Sequence, residues 1–398
     1  MARSIATGID IGTTAVKTIV AEYVRAHDGP TRRIIGVGAS EVVGLRHGYI
    51  VDREHISRSV RHAINQAEKT SRMQIRSALL SVGGVGLEST TTTGTSIVSR
   101  ADSEITELDV ERSLAACRDA LPDAQKNNRK ILHTIPLSYK LDGKEVLGRV
   151  LGMKGIKLEI KTLFVTALEQ HVADLIEAVE SAGVEVRDVV ASPIASAVAT
   201  LSKAQRIAGC VLVDIGSETV SLVVYENDMP ISLKVFPIGS HDITKDIALG
   251  LRLPLDEAER VKVDGLASTT HSRKKLDEIV SARLKDIFEL IDAHLKKLGR
   301  NGLLPAGIVL TGGGSRIADI EDLARAALAI PSRLGNIEIN ATAHGLLHDP
   351  SWTVAYGTAL LGLSPGMSTG SDFSSLPRFT FAKDIGASVR TLFKKILP

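Results

Sequence analysis

Aromatic side chains make up only 3% of this 398-residue chain, cysteine occurs twice, and neither sign of charge prevails, the formal net charge being +2 at pH 7. Near-neutral charge argues against a nucleic-acid binder with a basic face. Cys117 and Cys210 lie far apart in sequence and match neither metal nor redox spacing, so they read as buried small hydrophobes in a reducing cytoplasm. No run approaches the roughly 18 apolar residues of a membrane span. The first residues lead almost at once into a strand and lack the apolar core of a signal peptide. This length exceeds what one compact core usually serves, so two or more domains are expected.

What the chain does have is a repeated word. Gly8-Ile9-Asp10-Ile11-Gly12-Thr13-Thr14-Ala15-Val16-Lys17 and Leu212-Val213-Asp214-Ile215-Gly216-Ser217-Glu218-Thr219-Val220-Ser221 each spell a strand ending in Asp, a glycine turn with hydroxyl residues, and a second β-branched strand. One such hairpin is ordinary turn chemistry. Two, one in each half, predict a duplicated fold that grips one ligand. Glycine lets backbone amides approach phosphate oxygens, and Thr13, Thr14, Ser217 and Thr219 add hydroxyl donors. Asp10 and Asp214 at the strand ends are tolerable beside phosphate only with a hard cation between, so Mg2+ with a nucleotide fits better than a bare anion.

Thr311-Gly312-Gly313-Gly314-Ser315-Arg316 follows a buried-type strand and is expected to open a helix from Ile317 to Ile330, its amides facing a ligand at the positive helix end. Close packing alone also uses such turns. The planar guanidinium of Arg316 suits stacking on an adenine face, with a surface ion pair as the alternative. On a helix starting near Leu255, Glu259 and Lys262 share a face and can hydrogen-bond ribose hydroxyls; an ordinary ion pair explains them equally well.

Strand patterns from Ile5 to Ile11, Thr18 to Glu22, Ile34 to Val43, Leu79 to Val82, Ile131 to Tyr139 and Leu163 to Ala167 alternate with helical ones from Arg53 to Thr70, Glu107 to Ala120 and Glu169 to Ala182. The class is mixed α/β in two similar halves. The block from Gly84 to Lys161 reads as an insertion into the first half, with an edge strand expected in its Thr-rich stretch, Ser89 to Thr95. The second half carries its own insertion from Phe236 to Gly302. Its longest helix bears the stripe Leu276, Ile279, Val280, Leu284, Ile287, Phe288, Ile291, Leu295 and Leu298, expected to pack into a core.

Beyond Leu363 the composition turns to Ser, Gly and Pro, that of a flexible linker. The end of the chain places Ile385, Val389, Leu392, Phe393, Ile396 and Leu397 within roughly 140° of a helical wheel. Lys383, Arg390, Lys394 and Lys395 fall on the other side. A basic amphipathic helix beyond a linker reads as an anchor lying in the lipid headgroup plane. Packing back on the body is the alternative.

On these motifs the chain resembles the superfamily of ATPases that includes actin, heat-shock chaperones and sugar kinases, and along nearly its whole length it resembles the FtsA family of bacterial cell-division proteins. The superfamily pattern appears as a first phosphate loop (Asp10 to Lys17), a second (Asp214 to Thr219) and an adenosine loop (Gly312 to Arg316). Asp10 and Lys17 stand at the spacing of actin's phosphate-contacting pair, and Glu259 and Lys262 stand as the chaperones' ribose-contacting pair does. The FtsA-like part runs through Ile34 to Gly38, His133 to Pro136, Val184 to Ala195, Val211 to Gly239 and Ala306 to Gly313, which adds Gly239 to the nucleotide-binding set.

The resemblance implies an α/β, duplicated actin-like (ribonuclease H-like) ATPase fold, two halves around a nucleotide cleft, each with an inserted subdomain. The expected layout is residues 1–83 plus 162–196 as the first core, 84–161 as its insertion, 197–235 plus 303–363 as the second core and 236–302 as its insertion. A linker at 364–383 and a membrane helix at 384–398 complete it. It further implies ATP and Mg2+ as ligands, self-polymerisation, anionic lipids, FtsZ and other division proteins as partners, and a place on the cytoplasmic face of the cell membrane at the division site.

Two departures bear on mechanism. Glu218 stands where chaperone relatives have a third glycine, leaving its backbone amide as the useful group. Ala191-Ser192-Pro193 stands where they place a water-orienting Glu before the proline, so hydrolysis is expected to be slow at most. A small-molecule kinase or a pilus-assembly scaffold of the same fold are the rival readings.

Overall fold

The computed structural model describes residues 3–26, 29–264, 273–336, 349–363 and 380–381. The chain divides into two compact units, one of residues 1–87 with 171–376 and one of residues 88–170 with 377–398. The sequence suggested an inserted block at 84–161.

In the first unit, β1 (Arg3–Ile11), β2 (Ala15–Ala26) and β3 (Gly29–Glu41) form an antiparallel meander. A small hairpin, β4 (Leu45–Arg46) with β5 (Tyr49–Ile50), leads to α1 (Arg53–Ser71) and β6 (Ser77–Val82). Asp52 caps α1 by accepting the His55 amide at 3.0 Å.

The second unit interrupts this order. Its strands β7 (Glu88–Ile97), β8 (Arg129–Leu141), β9 (Lys144–Val146) and β10 (Lys157–Leu168) pair antiparallel, and α2 (Glu107–Asp119) covers β7 and β10, followed by the short α3 (Asp123–Lys126). The Thr-rich segment is indeed an edge strand, with burial alternating along part of β7. Ile105, Cys117, Leu158, Ile160 and Phe164 belong to this unit's own core.

The first unit resumes with α4 (Glu169–Glu180), β11 (Glu185–Ala191) and α5 (Ser192–Thr200). After α6 (Lys203–Ala208) the second half lays down β12 (Cys210–Ile215), β13 (Val220–Glu226) and β14 (Met229–Phe236), then α7 (Ser240–Leu251), α8 (Leu255–Asp264) and α9 (Arg273–Lys297). It closes with β15 (Ile308–Thr311), a 3₁₀ turn (Gly313–Arg316), α10 (Ile320–Leu328), β16 (Ser332–Leu334) and α11 (Thr353–Leu363). Far along the chain, β17 (Thr380–Phe381) pairs with Thr134 and His133 of β8, in the second unit.

The two five-stranded sheets of the first unit have orders β11-β6-β1-β2-β3 and β14-β13-β12-β15-β16. Each has an antiparallel meander of three strands, with two further strands joined in parallel on the side of its first strand. Equal topology built twice is the duplication that the repeated hairpin announced. Between the sheets, α11 packs on β1 and β2 and against α5, which touches β12 and β13. The stripe of α9 goes into the core: Leu284, Ile287, Phe288 and Ile291 are fully buried with strands β12, β13 and β15. Both cysteines are buried, and burial pushes the Cys210 thiol up to about 12. No helix of the described residues is long and apolar enough to cross a membrane. The predicted membrane helix lies outside the described residues, as does its linker apart from residues 380–381.

Helix α1 lies so close to β3 that a Cβ on Gly38 would stand 1.9 Å from the Ala63 carbonyl oxygen and 2.7 Å from the Ala67 nitrogen. Gly38→Ala must therefore push the helix off the sheet, at a cost of about 1–3 kcal/mol. The expected reading is a lower urea midpoint with little change in slope; an unchanged midpoint would show that α1 yields without cost.

Candidate functional site: a cleft between two hairpin turns

The two repeated hairpins close in the same way. Gly12 N–H donates to the Ala15 carbonyl at 3.1 Å, and Gly216 N–H to the Thr219 carbonyl at 2.9 Å, leaving Thr13 and Thr14 at one tip and Ser217 and Glu218 at the other. Cross-strand register puts Lys17 directly opposite Asp10 and Ser221 opposite Asp214. Both turns open on one cavity of about 730 Å3. Asp10, Gly12, Thr13, Thr14 and Lys17 line it from the first half, and Asp214, Gly216, Ser217 and Thr219 from the second. The adenosine-loop residues Gly312, Gly313, Gly314 and Arg316 and the α8 pair Glu259 and Lys262 line it too.

The floor is electrostatically tense. Ser81 Oγ donates to Asp10 Oδ1 at 2.6 Å and Ser196 Oγ to Asp214 Oδ2 at 3.3 Å. Burial pushes the pKa of Asp10 up, against the Ser81 hydrogen bond and the charge of Lys17. Burial and then the charge of Asp10 push Asp214 up to about 6. Burial lowers the pKa of Lys17, against the pull of Asp10, Asp349 and Asp214. Its Nζ donates to the Ser351 carbonyl at 2.6 Å and stands 5.7 Å from the Trp352 ring centroid.

Two carboxyl groups lining one cavity, both pushed toward the neutral form, suit a divalent cation, which would favour the ionised form of both. No cluster of three or more His, Cys, Asp or Glu suited to a metal occurs among the described residues. Asp10 and Asp214 are the residues that could hold Mg2+, a cation that takes few carboxylates and keeps waters or phosphate oxygens.

Lys262 Nζ donates to Glu259 Oε2 at 2.8 Å, to Thr244 Oγ1 at 2.9 Å and to the Ser240 carbonyl at 3.2 Å. The pair is thus an ion pair anchored to α7 and a wall of the cavity at once. Burial opposes ionisation of Glu259, yet hydrogen bonds from Lys262 and Thr244 prevail and hold its pKa low. The glycine at 312 is a necessity: with φ at 84°, a Cβ there would stand 2.2 Å from Asp214 Oδ1.

One expectation is corrected. The helix after the glycine run does not begin at Ile317; a 3₁₀ turn spans Gly313–Arg316, Asp319 takes a left-handed φ of 58°, and α10 starts only at Ile320. The amides of the adenosine loop therefore belong to the 3₁₀ turn rather than to a long helix. Gly239 does not line the cavity. It is the N-cap of α7, and a Cβ on it would meet the Ser217 carbonyl oxygen at 2.2 Å. The α7 amides of Ser240 and His241 donate to the Gly216 and Ser217 carbonyls, so the helix buttresses the second turn. Glu218 also stays out of the lining, because its carboxylate binds the His47 amide.

Sequence reasoning did not single out Ser81, Ser196, Gly83 or Ser351. A lone Ser at a strand end or in a small-residue helix carries no local signal, and only the fold sets these beside the carboxylates.

A family model described as "Cell division protein FtsA" matches residues 211–357, and one described as "SHS2 domain inserted in FTSA" matches residues 84–166. The chain is 32% identical over 383 residues to the cell division protein FtsA of Borreliella burgdorferi, covering 90% of this chain and 91% of that one. Among solved structures it is similar to the PilM-PilN type IV pilus biogenesis complex (TM-score 0.67, 19% identity, 90% of this chain and 99% of that one). It is also similar to MreB5 of Spiroplasma citri bound to ADP (TM-score 0.52, 15% identity, 92% and 99%). The architecture is the duplicated actin-like ATPase fold.

Because the unfolded chain releases the Asp214 proton near 3.8 and the folded chain near about 6, the folded state binds more protons between those values. Stability is therefore lost as the pH rises through that window. Without divalent cations, Asp214→Asn should raise the thermal midpoint by a few degrees at neutral pH, with the gain fading in acid. A midpoint matching wild type at every pH would contradict this.

Proposed function

The chain belongs to the FtsA family of cell-division proteins, and on that premise we propose that it acts as an ATP-bound, actin-like adaptor. In this reading it polymerises on the cytoplasmic face of the cell membrane at the division site and tethers FtsZ filaments there. The nucleotide part is carried by one observation, the convergence of two equal hairpin turns, Asp10, Asp214 and Lys17 on a single cavity. The amides and hydroxyls of residues 12–14 and of Gly216, Ser217 and Thr219 would receive the phosphates. Asp10 and Asp214 would hold Mg2+, largely through water. Glu259 and Lys262 would meet the ribose, and Gly312, Gly313, Gly314 and Arg316 the adenine. Bound Mg2+ would neutralise phosphate charge.

Hydrolysis needs a group that orients water. Ser192 faces Gly83, with its Oγ 3.0 Å from where a Cβ on that glycine would stand, and it supplies no carboxylate. We expect single-turnover ATP hydrolysis far slower than that of metabolic kinases; comparable turnover would restore the kinase reading.

Membrane attachment and FtsZ recruitment are supported by family membership and by the C-terminal sequence pattern. Six apolar side chains contribute ~1 kcal/mol each when partly buried, and each basic residue adds ~1 kcal/mol near anionic lipid. Ordering and association costs offset much of that, so one foot holds weakly while a filament of many feet holds through avidity. Co-sedimentation with anionic vesicles and FtsZ, with and without Mg-ATP, tests the whole reading. Phe393→Glu should abolish vesicle pelleting while leaving the body folded, and pelleting equal to wild type would refute the foot.

A further inference from the structure

Glu218 is half-buried, and its Oε2 accepts the His47 backbone N–H at 2.5 Å. Its own backbone carbonyl lies 3.1 Å from Nδ1 of the His47 ring. The two residues belong to opposite halves of the first unit. His47 and Gly48 are the two-residue loop between β4 and β5, where Leu45 pairs with Ile50 and Arg46 with Tyr49. Both have positive φ, 49° and 90°, the signature of a type I′ turn. The amide of the first loop residue in such a turn points away from the hairpin and needs an outside partner. Glu218 is that partner.

The tip is gripped from its own half as well. The His47 carbonyl accepts the Val85 N–H at 3.3 Å, and a Cβ on Gly48 would lie 2.5 Å from the Gly84 Cα. The neighbouring Gly83 is pinned from behind, its carbonyl 3.0 Å from His171 Nε2, with the His171 ring 4.7 Å from that of Tyr49. Gly48, Gly83, Gly84 and Ser192 all line the cavity. Contacts thus run without a gap from the second phosphate loop through the hairpin tip to the wall of the first half.

We propose that Glu218 is a clasp across the cleft, holding the two halves closed and setting the rate at which nucleotide leaves. The inference rests on the nucleotide reading above. Separating the halves must break a hydrogen bond to a carboxylate, which is roughly twice as strong as a neutral one. It also strips the His47 amide of its partner. A glycine at this position offers neither. The same grip turns the carboxylate away from the cavity, so the loop keeps its amide donors without placing a negative charge against phosphate. Glu218 is a positioning residue here, acting through the hairpin rather than on the ligand.

The test is stopped-flow release of an N-methylanthraniloyl-labelled ATP from the full chain loaded with Mg2+. Glu218→Ala and Glu218→Gly should speed release by about tenfold or more. Glu218→Gln keeps a neutral acceptor and should fall between them and wild type. His47→Gly keeps the amide and suits the positive φ, so it should change release much less than Glu218→Ala. A merely structural role would lower the ligand-free thermal midpoint without this graded order of release rates. Release from Glu218→Ala within about twofold of wild type, in protein that binds the probe, overturns the clasp alone. Wild type that binds no probe overturns the nucleotide reading and the clasp with it.

Discussion

Two half-buried carboxyl groups lining one cavity constrain what surrounds them. Asp10 and Asp214 come from different halves, the charge of Asp10 adds to burial in raising the cost of ionising Asp214, and the charge of Lys17, which lowers that cost at both, does not cancel it. The fold tolerates the arrangement because each acid has one hydroxyl donor, Ser81 or Ser196, and sits in an antiparallel hairpin closed by a backbone hydrogen bond at its turn. Burying like charges is unfavourable in a folding ledger. It becomes favourable only when something positive is brought to the cleft, and a cation-bound polyphosphate is a ligand of that kind.

The rest of the first unit serves to hold those two acids at one spacing. Helices α5 and α11 fill the space between the sheets, and each reaches the cavity at its N-terminal end, through Ser192 and Val354. Helix α7 spends its first amides on carbonyls of the second turn rather than on a ligand, which stiffens the turn instead of adding a donor. The adenosine loop is kept close by Gly312, whose missing side chain makes room for an Asp214 oxygen. A change at any of these supports would reach the ligand through the placement of Asp214, with no contact of its own.

Much of this was legible in the sequence because it is written in local chemistry. Asp-x-Gly between β-branched runs is hairpin chemistry, and finding it twice pointed to the duplication and the shared cleft, while the strand order came only with the structure. The α9 stripe was legible through its helical spacing, and the Thr-rich edge strand through its β-branched composition. The failures are equally physical. Asp319 breaks the backbone after the glycine run by adopting a left-handed conformation, which no periodicity announces. Ser81 and Ser196 matter only through partners distant in sequence. The direction of Glu218 was open because a carboxylate on a phosphate loop has two outlets, and only the position of the His47 amide decides between them.

A cleft built in this way suits a structural use of nucleotide better than a catalytic one. An enzyme that turns over quickly needs a group to activate water and an easy route for product to leave. Here Ser192 stands where a water-orienting carboxylate would be needed, and the two halves are joined by hydrogen bonds between Glu218 and His47. Ligand bound to such a site stabilises the closed arrangement by mass action for as long as it stays. On the proposed reading as a filament subunit that is the useful property, since a slow-leaving ligand would fix the shape that neighbours must match. An ATPase fold can in this way serve as a stiffened building block, with the relief of its paired acids as the source of the stiffness.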